Sequence, residues 1–462
     1  MKYKSKLFLK IISVRFIFTF ASLSTSLTIF AVTFFICRGT FAEDVSVNDL
    51  KAQIERMQTM LEEQQKQIGE PKRVLEEKLE IASPSARNDK EKEVKEAVNE
   101  EKIEEVVEKY LEKEETKDEF AKLGLLSDLN MGYKKGFYLE TLDKKYKLQL
   151  NARVQFRYEY DDLEGKEDLS SFIIRRARLT ASGYAVSPDI QYKLEVAADK
   201  GNALTPLYWY VDLRQLSLAM FNLGQDKVPF NRQHITSSGF LQFADRSIAD
   251  AEFNFDFDTG IRLHGEPFNK RIEYALGVFN GSGLNKLNDN NKNLYVIRAV
   301  YNPFGEFGYE SEYSDELKAT IGGALAFNSK PEEIATGVFE DVDNTSTVLE
   351  TGLKYRGFSF LTEYYYRHKD ILSQDDQGFF AQAGYFIIPK RLELAGRYSL
   401  IAYDNNPTID TKREMTAGLN YFFSGYRTKL QANYTRLGTD LPRNAGNDKQ
   451  EDLFKLQYQF SF

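Results

Sequence analysis

Residues Leu453–Phe462 read LFKLQYQFSF. Counting back from the carboxy terminus in steps of two gives Phe462, Phe460, Tyr458, Leu456 and Phe454, with Ser461, Gln459, Gln457 and Lys455 between them. Side chains along a strand alternate between its faces, so this is a strand with one greasy face and one polar face. A chain that ends on such a strand and on an aromatic residue reads as a membrane barrel closing on itself. The greasy face is expected on lipid, and Lys455, Gln457 and Gln459 on water.

The same alternation holds farther back. Tyr146, Leu148, Leu150, Ala152, Val154, Phe156, Tyr158 and Tyr160 interleave with Lys147, Gln149, Asn151, Arg153, Gln155, Arg157 and Glu159. A soluble strand usually runs about five or six residues, whereas tilted strands that cross a bilayer and continue past it are longer. Comparable stretches predict strands at 145–160, 170–184, 189–199, 206–213, 215–224, 256–265, 271–280, 292–301, 316–328, 344–356, 358–370, 378–388, 391–402, 412–423, 426–437 and 451–462. Between them, short turns such as Val186-Ser187-Pro188 and Ser424-Gly425 alternate with long loops rich in Asp, Asn and Gly. An even strand count puts both ends of the barrel on the short-turn side, the periplasmic side of an outer-membrane barrel. About sixteen strands also leave a water-filled lumen, which about eight would fill with side chains. The segment from Gln225 to Phe255 is too long for an ordinary loop and is expected to fold inward and narrow the pore.

Composition agrees with strands rather than helices as the membrane element. The 462 residues include 27 Tyr and 35 Phe against one Trp, yet the mean hydropathy is −0.47. A helical span needs roughly 20 consecutive apolar residues, and after residue 42 no such run exists. Cys37 is the lone cysteine and His234, His264 and His368 have no ligand spacing, so neither a metal nor another cofactor is expected. The net charge is −8, and the first 42 residues hold six basic groups and no acidic one. The rest of the chain is therefore more acidic still, which excludes nucleic acid as a natural partner.

Four regions follow. Residues 1–42, with Lys2, Lys4, Lys6, Lys10 and Arg15 ahead of an apolar run, have the layout of a signal peptide, an uncleaved membrane anchor being the alternative. Residues 43–75 carry Leu50, Ile54, Met57, Leu61 and Ile68 at coiled-coil spacing until Pro71 interrupts it. Residues 76–136 read as an acidic linker, helical or disordered, a solvated spacer or a periplasmic stalk. Residues 137–462 form the barrel. The expected fold is thus all-β: a transmembrane antiparallel β-barrel of about 16 strands, preceded by a signal peptide and a periplasmic α-helical coiled coil.

Several motifs in the barrel region resemble the phosphate-selective porin O and P family. They are Ile173-Ile174-Arg175-Arg176-Ala177-Arg178-Leu179, Gly224-Gln225-Asp226-Lys227-Val228-Pro229-Phe230, Gly277-Val278-Phe279-Asn280-Gly281, Tyr301-Asn302-Pro303-Phe304, Gln382-Ala383-Gly384-Tyr385 and Gly418-Leu419-Asn420-Tyr421. The resemblance implies a trimeric porin in the outer membrane of a diderm bacterium, giving passive diffusion of small hydrophilic solutes or inorganic anions such as phosphate. It also implies contact with outer-membrane lipid and lipopolysaccharide, and insertion by the barrel-assembly machinery with Phe462 as its mark. The family's anion channels line a constriction with basic side chains. The matching positions are Arg176 and Arg178, which alternate with Ala177 and Leu179, and Lys227 and Arg246 around the long segment. Arg153 and Arg157 point inward by alternation alone. Guanidinium groups suit phosphate through planar, paired donors, although lumen arginines can equally pair with Asp212, Glu159 or other carboxylates. The barrel region is net acidic by six, whereas a phosphate pore should gather positive potential. The other function class is a structural envelope tether anchored by the barrel. An enzyme is not expected, since no base is spaced to activate a loop serine.

Overall fold

The computed structural model describes residues 129–462 apart from 164–166, 202, 336, 372, 405, 407 and 443–447. The expected signal peptide, the coiled coil and most of the linker lie outside the described residues. A hairpin comes first, β1 (Leu129–Tyr133) and β2 (Phe137–Thr141). There follow β3 (Lys147–Leu163), β4 (Leu169–Ala185), β5 (Ser187–Ala197), β6 (Thr205–Leu213), β7 (Met220–Lys227), β8 (Phe257–Gly265), β9 (Ile272–Phe279) and β10 (Leu294–Tyr301). The second half holds β11 (Lys318–Ala335), β12 (Val338–Tyr355), β13 (Phe358–Lys369), β14 (Gln374–Ile388), β15 (Leu392–Ala402), β16 (Thr411–Ser424), β17 (Thr428–Asp440) and β18 (Lys449–Ser461).

Each strand from β3 to β18 pairs antiparallel with the next, and β18 pairs with β3 through Phe454↔Tyr160 and Phe460↔Val154. The sheet is a closed sixteen-stranded barrel with no free edge in its wall. Each of the sixteen expected strands is present. The main shifts are at β7, which starts later and takes in Lys227, and at β11 and β12, which form a taller hairpin than expected.

Alternation decides which face meets the outside. On β18 Phe454, Leu456, Tyr458 and Phe460 are exposed, while Gln457 and Gln459 are buried. The outward half of the expectation holds for these four, whereas Phe462 is half-buried and the two glutamines do not line water. The reason lies in the lumen, where Val228, Phe230, Ala249 and Phe253 of the long segment pack against Val348, Leu361, Tyr365, Phe380 and Ile401 of the wall. The hydrophobic core therefore sits inside the barrel, filling much of what an empty cylinder would leave open. Among the described residues no helix is long and apolar enough to cross a membrane.

Two departures from simple alternation matter for the site. β1 falls within the stretch read as linker, and five residues are too few to display a period. β2 pairs with the first residues of β3, Phe137 opposite Leu150, on the edge that β18 occupies higher up. In β4, Gln155 faces Arg176 while Phe156 faces Ile174, so Arg175 is an extra residue in a β-bulge. Strand parity shifts by one across it.

Candidate permeation path

The segment between β7 and β8 carries two short helices, α1 (Arg232–Ile235) and α2 (Ile248–Phe253), the second capped by Ser247, whose hydroxyl accepts from the Asp250 amide. It enters from the long-loop end and reaches down the lumen. Near its entry, Arg367 Nη2 and the Tyr403 hydroxyl donate to Glu252 at 2.7 and 2.9 Å. At mid-depth the Ile248 amide donates to Glu414 at 2.8 Å, and Arg397 Nε donates to the same carboxylate at 2.7 Å. At the far end Lys429 Nζ donates to the Leu241 carbonyl at 2.9 Å and Gln459 Nε2 to the Gly239 carbonyl at 3.1 Å.

Sideways, the segment spans the wall from β10 to β3. Arg298 donates to the Phe230 carbonyl at 2.8 Å, Arg232 Nε donates to Glu350 at 2.9 Å, and Asn231 Nδ2 bridges Asp250 and Glu363 at 2.6 and 3.1 Å. These bonds supply buried polar groups of the segment with partners, as the low-dielectric interior favours. A loop tied at so many points is part of the wall's rigid structure. The inward folding expected from its length is observed, although here it packs against most of the lumen wall.

A second inward segment comes from the opposite end. Residues 302–317 join β10 to β11 where every neighbouring turn is short, and Phe307, Glu310 and Ser311 are buried. Lys354 Nζ donates to the Phe307 carbonyl at 2.9 Å, and the Gln242 amide donates to Glu310 at 2.9 Å. The two segments meet in an aromatic stack: Phe240 lies on Tyr309 with ring centres 3.8 Å apart, and Tyr426 packs edge-on against both.

The six basic residues singled out in the sequence separate into two groups. Arg157, Arg176 and Lys227 are 1%, 4% and 5% exposed. Arg157 makes paired bonds to Asp245 at 2.8 and 3.0 Å and also reaches Glu159 at 2.7 Å, the carboxylate pairing foreseen as the alternative. Arg176 donates to Gln155 at 2.7 Å and stands 3.9 Å from Asp245 of the segment. Lys227 donates to the carbonyls of His234 and Thr236 at 2.5 and 3.0 Å. Arg246, partly buried, donates to the carbonyls of Gln233, His234 and Thr236 at 2.7 to 3.1 Å. These four clamp the long segment rather than face open lumen.

Arg153 and Arg178 lie elsewhere. Both line a cavity of about 320 Å³ with Lys135, Thr180, Glu195, Phe240, Tyr309, Tyr426, Arg427 and Phe462. Arg178 pairs with Asp199 at 2.8 Å and more loosely with Glu195 at 3.4 Å. Arg153 donates to the hydroxyls of Ser237 and Ser238 at 2.9 and 3.2 Å. Beyond them the same wall carries balanced pairs, Arg262 with Asp226 at 2.8 Å and Asp212 with Arg214 and His264 at 2.7 and 2.8 Å. Asp212 thus serves partners other than the arginines it was matched with in the sequence.

Titration on the inward segment has two signs. Burial by itself would raise the Asp245 carboxyl, but Lys455 at 3.0 Å, with Arg157 and Arg176, holds it well below the usual carboxylate range. Asp250 is pushed up to about 6 by burial, which outweighs Arg246 and the Asn231 bond. Burial, then Lys227 and Arg246, push the His234 imidazole well below its ordinary value.

Three features escaped the sequence reading. Arg175 reaches Asp245 at 3.4 Å only because the bulge turns it inward beside Arg176. Asp245 is the hub for Arg157, Arg175 and Lys455, a role no spacing announces. The 302–317 segment did have a signal, a long gap between expected strands where the turns should be short.

The profile of the phosphate-selective porin O and P family matches residues 148–462. No curated protein matches the chain. Among solved structures, the outer membrane channel DcaP of Acinetobacter baumannii is 12% identical, with 71% of this chain and 99% of that chain covered at a TM-score of 0.53. At that identity the likeness concerns the fold. An anion-selective porin from Comamonas acidovorans is 14% identical, with 68% and 99% covered at a TM-score of 0.46. The trimer form of OmpT, an outer membrane protein of Vibrio cholerae, is 14% identical, with 68% and 99% covered at 0.48.

Proposed function

The chain belongs to the phosphate-selective porin O and P family, and on that premise we propose that it gives small hydrophilic solutes passive diffusion across the outer membrane, with a preference for anions. The observation that carries the preference is the division of its cations. Arg157, Arg176, Lys227 and Arg246 are spent on holding the inward segment, whereas Arg153 and Arg178 border the cavity. Arg153 has hydroxyl partners and no carboxylate within ion-pair distance among the described residues. A cation bonded only to neutral groups leaves net positive potential at the path, where fixed charge selects ions. The balanced pairs along the rest of the wall favour a mild preference over a dedicated phosphate site.

The assembly is a homotrimer in this proposal, with Phe462 and the β1–β2 hairpin on the periplasmic side and the expected coiled coil in the periplasm. Lipopolysaccharide meets the long-loop end, and the barrel-assembly machinery reads the β18 terminus. Liposome swelling with sugars of graded size tests the diffusion. Swelling that declines with solute size supports it, and vesicles that stay inert to the smallest sugar contradict it.

A further inference from the structure

We propose that the cavity between the two inward segments is a binding site for aromatic carboxylates, small anions with one flat ring. This deepens the porin reading and rests on it. The cavity, about 320 Å³, is at the small end of the roughly 300–1,000 Å³ typical of ligand pockets, a size suited to a single ring. One side is built of rings, Phe240, Tyr309 and Tyr426. Tyr309 is stacked on Phe240 yet remains 40% exposed, so ring surface is left for a third aromatic group. The other side presents Lys135, Arg153, Arg178 and Arg427 against Glu195, the Asp199 carboxylate paired with Arg178 and the terminal carboxylate of Phe462, a small excess of positive charge. Planar guanidinium donors suit a carboxylate in two-point contact.

The backbone holds the two sides together. Gly239 precedes Phe240, and a Cβ there would lie 2.6 Å from Arg153 Nη1, so a larger residue would push the guanidinium aside. Arg153 is fixed by Ser237 and Ser238 of the same segment. Its Nε is buried without a hydrogen-bond partner. Charge and ring surface thus come from neighbouring residues of one strap, with Tyr309 brought from the other.

Single-channel recording in planar bilayers tests the proposal, with 4-hydroxybenzoate, acetate and phenol each added to the face that carries Phe462. The expected result is interruption of chloride current by 4-hydroxybenzoate at concentrations at least tenfold below those needed for acetate or phenol. Tyr309→Ala should erase that tenfold difference while chloride current persists, and Arg153→Gln should weaken the block by acetate and 4-hydroxybenzoate alike. Tyr309→Leu, which keeps more apolar bulk than alanine, guards against a collapsed segment and should lose the preference too. Equal block by acetate and 4-hydroxybenzoate, or a preference untouched in both Tyr309 variants, overturns the proposal and leaves the porin reading standing. Absence of chloride current in the unmodified protein overturns both.

Discussion

Asp245 shows at the scale of one residue how the barrel holds its strap. It meets Arg157, Lys455 and Arg175 at 2.8, 3.0 and 3.4 Å. Removing one partner of a fully buried ion pair costs about 3–5 kcal/mol; Asp245 is partly exposed and Arg157 keeps Glu159, so the loss here is smaller. Asp245→Ala should therefore lower the thermal unfolding midpoint in detergent and make single-channel current noisier as the strap loosens. Asp245 is depressed in the folded protein, so its contribution is present above the ordinary carboxylate value of about 3.9 and fades as pH falls through its lower folded value. Asp250 runs the other way. Its folded value is raised to about 6, so its contribution is complete below about 3.9 and is lost as pH rises through 6. Asp250→Asn should accordingly gain stability on the unmodified protein as pH goes from 4 to 7. Thermal melts across that range check this, and a constant gap between the two proteins would refute it.

At the scale of elements, the bulge in β4 makes a sharp prediction. Deleting Arg175 restores simple pairing, with Ile174 still outward and Arg176 still inward, so the variant should assemble with near-normal heat stability. Deleting Ala177 must instead turn an arginine toward lipid, at about 2–4 kcal/mol near mid-membrane, and heat-modifiable mobility on gels should show the difference. The bulge also marks where strand parity stops being readable. Alternation located all sixteen wall strands and the outward face of β18, because lipid enforces a period of two along each of them. It placed Arg176 and Arg178 inward but gave no reason to bring Arg175 with them. The β1–β2 hairpin went unseen because its strands are only five residues each. The last strand closes onto β3 as expected: Phe462 exchanges backbone hydrogen bonds with Ala152 at 3.1 and 3.2 Å and packs edge-on against Phe137. Deleting Phe462 should slow assembly, read as the folded fraction during refolding into lipid vesicles.

For the whole molecule, the path for solute is decided by what the barrel contains more than by the barrel. Sixteen strands were legible as a cylinder with a lumen. That Val228, Phe230, Ala249 and Phe253 would build a core there was not, because segment 228–256 has no period and its burial comes from contacts far off in sequence. The same long-range contacts divide the basic residues. Parity sends Arg153, Arg157 and Arg178 inward alike, yet only tertiary packing decides which guanidinium meets the strap's carboxylate and which borders the cavity. Anion preference turns on that division, and the reversal potential under a steep potassium chloride gradient, measured for the unmodified protein and for the Arg153→Glu, Arg178→Glu double variant, tests it most directly. An anion-side potential that moves toward the cation side in the double variant is the expected result. A cation-side potential in the unmodified protein, or one that the two substitutions leave in place, would contradict it.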